Sequence, residues 1–189
     1  MTQNTTATRH RIIIIGAGSG GLCMGMQLKR AGLDDFIILD KAEDIGGTWW
    51  YNTYPGAECD VQSHLYSFSF EPQHDWTRPY AGQAEILRYL NHCADKYDLR
   101  RHIRCNTPIA SARWQDGRDR WQVTTADGEV LEAQVVVSAI GMFNNIVWPQ
   151  IEGIGDFTGN AWHSARWNHA FDLTDKRVAV VGLAASAIQ

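Results

Sequence analysis

Arg11-Ile-Ile-Ile-Ile15-Gly16-Ala-Gly18-Ser19-Gly-Gly21 is the stretch that decides the fold of this chain. Four isoleucines in a row are too short a run for a helix and too apolar for an exposed strand. They read as a parallel strand buried on both faces, stopped by a glycine. The glycines then fall in the pattern G-x-G-x-x-G. From Gly21 to about Ala31 the chain reads as a helix, with Leu22, Met26 and Leu28 apolar and Gly32 just past its end. Phe36–Asp40 reads as a second strand, closing on an acidic residue nineteen positions after Gly21. Glycine-rich turns are common, and alone the motif is weak. With a strand before it, a helix after it and the acid in place, it predicts a βαβ unit that holds a dinucleotide. Gly16 permits the tight turn, Gly18 lets the backbone approach a pyrophosphate and Gly21 lets helix and strand pack closely. The helix N-terminus faces the phosphate charge, and Asp40 would accept hydrogen bonds from a ribose.

Outward from this unit, residues Lys41 to Pro79 are dense in Gly, Pro, Asn and aromatics and predict a long ordered loop region of the kind that carries function. Gln83 to about Tyr97 predicts an amphipathic helix with Ile86, Leu87, Leu90 and Ala94 on one face. Ile103–Asn106 reads as a short strand. Ile109–Trp114, Trp121–Thr125 and Val130–Val137 read as an antiparallel meander, turning at Gln115-Asp-Gly-Arg118 and Ala126-Asp-Gly128. Arg177–Val181 reads as a new buried strand followed by a second glycine turn, Gly182-Leu-Ala184-Ala-Ser-Ala187. The fold class is therefore α/β: a Rossmann-like domain with an antiparallel meander, then the start of a second Rossmann domain. The expected divisions are a disordered leader over 1–10, a first domain over 11–143, a linker over 144–176 and the second domain from 177 to 189.

Composition narrows the function. A formal net charge of −4 over 189 residues argues against binding nucleic acid or anionic membranes through bulk charge. The apolar runs are strand-sized, so none spans a bilayer. The first ten residues are polar and lack the apolar core of a signal peptide, which makes a cytoplasmic location the expectation. Cys23, Cys59, Cys93 and Cys105 show no metal-ligand spacing and read as reduced thiols, so no metal site is expected.

Two further segments carry a family resemblance. Gly46-Gly47-Thr48-Trp49-Trp-Tyr-Asn52-Thr-Tyr-Pro-Gly56-Ala-Glu58-Cys-Asp60 is similar to the G-G-T-W…N-x-Y-P-G-x-x-x-D stretch of Baeyer–Villiger monooxygenases, class B flavoprotein monooxygenases. Phe157, Gly159, His163 and Trp167 match that family's F-x-G-x-x-x-H-x-x-x-W fingerprint at all fixed positions. Tryptophan at the last of them separates the family from related N-oxygenating enzymes. The resemblance runs from Arg11 to Gln189 and takes in Tyr80-Ala-Gly-Gln83 and Ala139-Ile-Gly141.

The resemblance implies an N-terminal portion of an FAD- and NADPH-dependent enzyme. Such an enzyme uses O₂ to convert a small-molecule ketone to an ester or lactone through a flavin peroxide. The alternatives it leaves are an N- or S-oxygenating flavin monooxygenase and a flavin-binding fragment without turnover. By the same resemblance Gly16, Gly18, Ser19 and Gly21 hold the FAD pyrophosphate, with Asp40 and Lys41 at its ribose. Gly47, Thr48 and Trp49 lie along the flavin, Tyr66 contacts it, and the backbone of Ile109 meets the adenine. Asp60 is the active-site carboxylate and pairs with an arginine beyond Gln189, while Gly182 belongs to the NADPH turn. His163, read alone a linker histidine held by a backbone carbonyl, takes a conformational role. Three residues depart from the pattern: Asp40 stands where glutamate is usual, Glu58 where a neutral or basic residue is common, and Ala184 where the second turn usually has glycine.

Overall fold

The isoleucine run forms the inner half of strand β1 (Thr8–Ile15), which lies between two parallel neighbours. On one side is β2 (Phe36–Leu39), reached through helix α1 (Ser19–Arg30). On the other is β6 (Val130–Ser138), the last strand of the meander made with β4 (Ile109–Gln115) and β5 (Arg120–Thr125). With β3 (Ile103–Arg104) beside β2, the sheet runs β3-β2-β1-β6-β5-β4. The meander is thus no separate layer. Its third strand is parallel to β1, and one six-stranded mixed sheet results.

This computed structural model describes residues 7–143 and 145–189, in two compact units: residues 7–47 with 88–141, and residues 48–87 with 142–143 and 145–189. The sheet belongs wholly to the first. Side chains alternate across it as a strand requires. Ile13 and Leu39 join Val123, Leu131 and Ala133 in a buried cluster on one face. Ile14 and Ile38 lie on the other, under α1, whose Leu22 and Met26 are fully buried. Gly25 of α1 sits so close to the sheet that a Cβ there would be 3.0 Å from the Ile38 side chain and 3.3 Å from Leu99.

Two expectations are corrected. The leader does not extend to residue 10. Residues 1–6 lie outside the described residues, but Thr8–His10 are strand, paired with Leu131–Ala133, and Arg9 bonds the buried Glu132 at 3.0 Å. The second correction concerns Arg177–Val181, which forms no strand; Val178, Val180 and Val181 are 56%, 66% and 66% exposed. A parallel strand exists only where neighbours take up its N–H and C=O groups, and among the described residues none lies beside this one.

In the second unit, helix α2 (Thr48–Tyr51) precedes a loop region stitched by isolated bridges, Glu58 to Gly82 and Phe68 to Glu71. Helix α3 (Gln83–Lys96) follows, with residues 83–87 in the second unit and 88–96 in the first; its Ile86, Leu90 and Ala94 are buried as the periodicity requires, while Leu87 is half-buried. The later part of this unit is held by aromatic contacts, with Trp162 edge-on to Trp167 at 5.5 Å and to Phe171 at 5.6 Å. Helix α4 (Ala185–Ile188) closes the chain's described elements.

Candidate functional site

The first unit places a glycine cradle at the carboxyl end of β1, where the chain departs to β2 on one side and β6 on the other. That is the crevice in which open α/β sheets bind ligands. The glycines do different work there. Gly16 has φ +109°, and a Cβ would lie 2.3 Å from the Ala139 carbonyl oxygen that follows β6. At Gly21 a Cβ would lie 1.8 Å from the Gly16 carbonyl oxygen. Both are demanded by the chain's own packing. Gly18 is not: its φ is −77°, and a Cβ would rest 3.5 Å from Gly47, an ordinary contact. The absence of a side chain at Gly18 therefore serves the open side of the turn. Gly18 also caps α1 with no side-chain hydrogen bond, and no acidic residue occupies the helix's first turn. Backbone N–H groups at the start of α1 are left for an anion, so the cradle fits a pyrophosphate.

Asp40 is buried beside this turn. Its carboxylate accepts from the Ala17 N–H at 2.5 Å and from the Ala42 N–H at 2.8 Å. It braces the glycine turn as well as lining it, and an ionised carboxylate has about four acceptor positions, so capacity for a ribose hydroxyl remains. This bracing role was not legible in the sequence, which marks an acidic residue but not its backbone partners. Gly46 was also missed. With φ +121° its N–H donates to the Ala17 carbonyl at 3.0 Å, bringing Gly47 (φ +56°) against Gly18. The consecutive glycines 46 and 47 were the available signal. Lys41 is exposed next to Asp40. Ile109 opens β4, shortly after Thr107, whose N–H donates to the Asp40 carbonyl at 2.7 Å. Gly16, Gly18, Gly21, Asp40 and Gly47 are thus brought together, with Ser19 and Lys41 next to them in the chain and Ile109 two residues past Thr107.

The second unit brings together Trp49 and Tyr66. The buried Trp49 indole N–H donates to the Tyr66 hydroxyl at 3.0 Å, and the rings meet edge-on at 5.7 Å. Burial pushes the Tyr66 phenol above its ordinary pKa, against the indole N–H, with the charges of Cys59 and Asp60 adding to the rise. Tyr66 is thereby a neutral donor with its oxygen already engaged. Asp60 is exposed, two residues past Glu58. The Cys59 thiol between them is buried and also shifted upward, chiefly by desolvation. Glu58, which stands where a neutral or basic residue is common, is paired with Arg78 at 3.1 Å. Gln83 holds the Trp49 carbonyl through its side-chain amide.

Thr48 and Gly182 are exposed, and a Cβ at Gly182 (φ +138°) would meet only the Ala187 methyl, at 3.7 Å. His163 is held by an amide, not a carbonyl: its Nδ1 accepts from the Ala165 N–H at 3.1 Å and caps a short 3-10 turn. Among the described residues no group of three or more His, Cys, Asp and Glu is placed to hold a metal, and no helix is long and apolar enough to cross a membrane.

Known proteins with these features point one way. A family described as pyridine nucleotide-disulphide oxidoreductase matches residues 13–189. A Baeyer–Villiger monooxygenase of Streptomyces coelicolor is 46% identical over 190 residues, covering 100% of this chain and 36% of that protein. Oxidized steroid monooxygenase bound to NADP superimposes with a TM-score of 0.87 at 41% identity, over 96% of this chain and 36% of the other. Cyclohexanone monooxygenase with bound ε-caprolactone gives a TM-score of 0.87 at 38% identity, again over 96% of this chain and 36% of the other. The chain therefore spans little more than a third of the proteins it matches. A glycine cradle at the switch point of the sheet, an acidic brace behind it and a match over residues 13–189 agree: the chain belongs to the pyridine nucleotide-disulphide oxidoreductase family, and within it is similar to Baeyer–Villiger monooxygenases.

Proposed function

We propose that this chain is the N-terminal, FAD-binding portion of an NADPH- and O₂-dependent Baeyer–Villiger monooxygenase that converts a ketone to an ester or lactone. The observation that carries the reading is the cradle itself, where Gly18 lacks a side chain for no reason internal to the fold. Gly16, Gly18, Ser19 and Gly21 would hold the pyrophosphate against the start of α1, Asp40 the ribose, and Gly47, Thr48, Trp49 and Tyr66 the remainder of the FAD. Bound FAD supplies the redox and oxygen-activating chemistry.

The protein's own part is orientation and charge. Helix α1 offers N–H groups to the phosphates, Asp40 fixes the turn that aims them, and Tyr66 offers a hydroxyl proton while Trp49 holds its oxygen. Asp60 is an exposed carboxylate suited to orienting a cationic side chain. Gly182 would belong to the NADPH turn, where Ala184, exposed in this chain, sets a methyl at the position that the pyrophosphate approaches. A cytoplasmic location is part of the same proposal.

The first test is an absorbance spectrum of the 189-residue chain after loading with FAD and removing the excess. A retained, structured flavin band near about 450 nm is expected. Flavin retained neither by this chain, folded by circular dichroism, nor by a protein of the relatives' full length would overturn the cradle assignment. For turnover, a protein of the relatives' full length is supplied with NADPH and a cyclic ketone. Lactone is the expected product; an N- or S-oxide from an amine or sulfide, with no lactone, would overturn the reaction class.

A further inference from the structure

The side-chain amide of Gln189 is engaged at both ends. Its Oε1 accepts from the Tyr54 hydroxyl at 2.7 Å, and its Nε2 donates to the Glu58 carbonyl at 2.8 Å. These partners bracket a tight turn, Tyr54-Pro-Gly-Ala-Glu58, whose glycine has φ +85° and no room for a side chain: a Cβ at Gly56 would lie 2.4 Å from the Gln189 carbonyl oxygen. The far edge of the same turn is stitched to the start of α3. The Cys59 N–H donates to the Ala81 carbonyl at 2.9 Å, and the Gln83 N–H to the Ala57 carbonyl at 2.8 Å. The turn is therefore held from two sides, and Asp60 is the first exposed residue beyond the clamp.

We propose that Gln189 is a positioning residue: its amide clamps the Tyr54–Glu58 turn and thereby sets where Asp60 stands. The chemistry of the residue fits the task. One side chain must accept from a phenol and donate to a carbonyl in opposite directions. A primary amide does both from two separate atoms, the oxygen accepting and the nitrogen donating, and asparagine falls one methylene short. Two other contacts bind the same loop to the same late stretch of chain. The Arg166 guanidinium lies 4.3 Å over the Tyr51 ring, and His169 Nε2 pairs with Thr53 Oγ1 at 2.8 Å. Arg166 lies inside the fingerprint and Gln189 lies two residues past the second glycine turn. A nucleotide at that turn and the carboxylate at position 60 thus act on one another through a short chain of bonds. The functional consequence rests on the proposed role of Asp60; the clamp itself does not.

The test uses full-length, FAD-loaded protein with Gln189→Leu, Tyr54→Phe and the double variant. Gln189→Asn is the milder substitute if leucine impairs folding. Two readouts are taken: hydrogen exchange of the backbone amides at 56–60, and the rate of flavin reduction by NADPH. At roughly a fivefold effect per neutral hydrogen bond, exchange quickens about fivefold in Tyr54→Phe and about twentyfold in Gln189→Leu. The double variant is expected to match Gln189→Leu alone, because Tyr54 acts only through Gln189. Reduction is expected to slow in the same order while FAD is retained. Unchanged exchange at 56–60, or single effects that multiply in the double variant, would overturn the clamp. Faster exchange with an unaltered reduction rate would overturn the positioning role. Faster exchange in a protein whose parent neither reduces flavin with NADPH nor makes lactone would count against the proposed function and leave the clamp standing.

Discussion

Glycines 18 and 21 are identical residues three positions apart, yet the structure asks opposite things of them. A methyl at Gly21 collides with a backbone oxygen at 1.8 Å, and no side chain can move aside to relieve it; a methyl at Gly18 meets only an ordinary contact at 3.5 Å. Gly21→Ala is therefore expected to fail in folding or to lose at least about 3 kcal/mol. Gly18→Ala is expected to keep its fold and stability within about 1 kcal/mol while weakening FAD binding tenfold or more. Thermal melts and flavin titrations of the two variants check this, and equal behaviour in both would remove the distinction. The motif's spacing made both glycines legible, since spacing records where side chains are missing. It did not record why each is missing, nor that Asp40 spends two acceptor positions on the Ala17 and Ala42 amides. Those bonds depend on a turn geometry that only the folded chain possesses. The Trp49–Tyr66 pair lay in the same position: both residues stood out by resemblance, but their mutual hydrogen bond spans seventeen residues of irregular loop.

Elements were easier to read than their arrangement. Local periodicity and turn residues placed α1, α3 and all six strands within a few residues, because those signals are local. The parallel pairing of β6 with β1 is not local. It follows from two apolar edges finding each other across the chain, so the meander's membership of the main sheet emerged only in the structure. Arg177–Val181 shows the converse, an apolar strand pattern without a neighbouring strand. Helix α1 is seated on the sheet by Gly25, where the Ile38 and Leu99 side chains already stand at the limit of contact. Gly25→Val is expected to lift α1, destabilise the chain by about 1–3 kcal/mol and weaken FAD binding with it. Chemical denaturation and a flavin titration check this, and an unchanged midpoint would show that the helix has slack the packing does not suggest.

Across the whole molecule, several weak acids share one sign of perturbation. Desolvation is the leading cause that raises the pKa of Cys23, Cys59, Cys105 and Tyr66. The folded chain thus holds these protons more tightly than the unfolded chain does. Their contribution to stability is complete below the unfolded values, about 8.5 for cysteine and about 10 for tyrosine, and is lost as pH climbs through the higher folded values. The melting temperature is expected to fall progressively above about pH 8.5, with Tyr66→Phe flattening only the part above about pH 10. Melts recorded from neutral to strongly alkaline pH test this; stability that holds or rises over that range would contradict it.

The pairing of β1 with β6 sets a timetable for synthesis. Arg9 meets Glu132 across 123 residues of sequence. At ribosomal speeds of about 5–20 residues per second, the first strand waits roughly 6–25 s for its second neighbour to be made. Through that interval an isoleucine-rich edge stands open on a nascent polypeptide, the kind of surface to which other strands add. The protein's yield in a cell then depends on what shields that edge during translation as well as on the stability of the finished sheet.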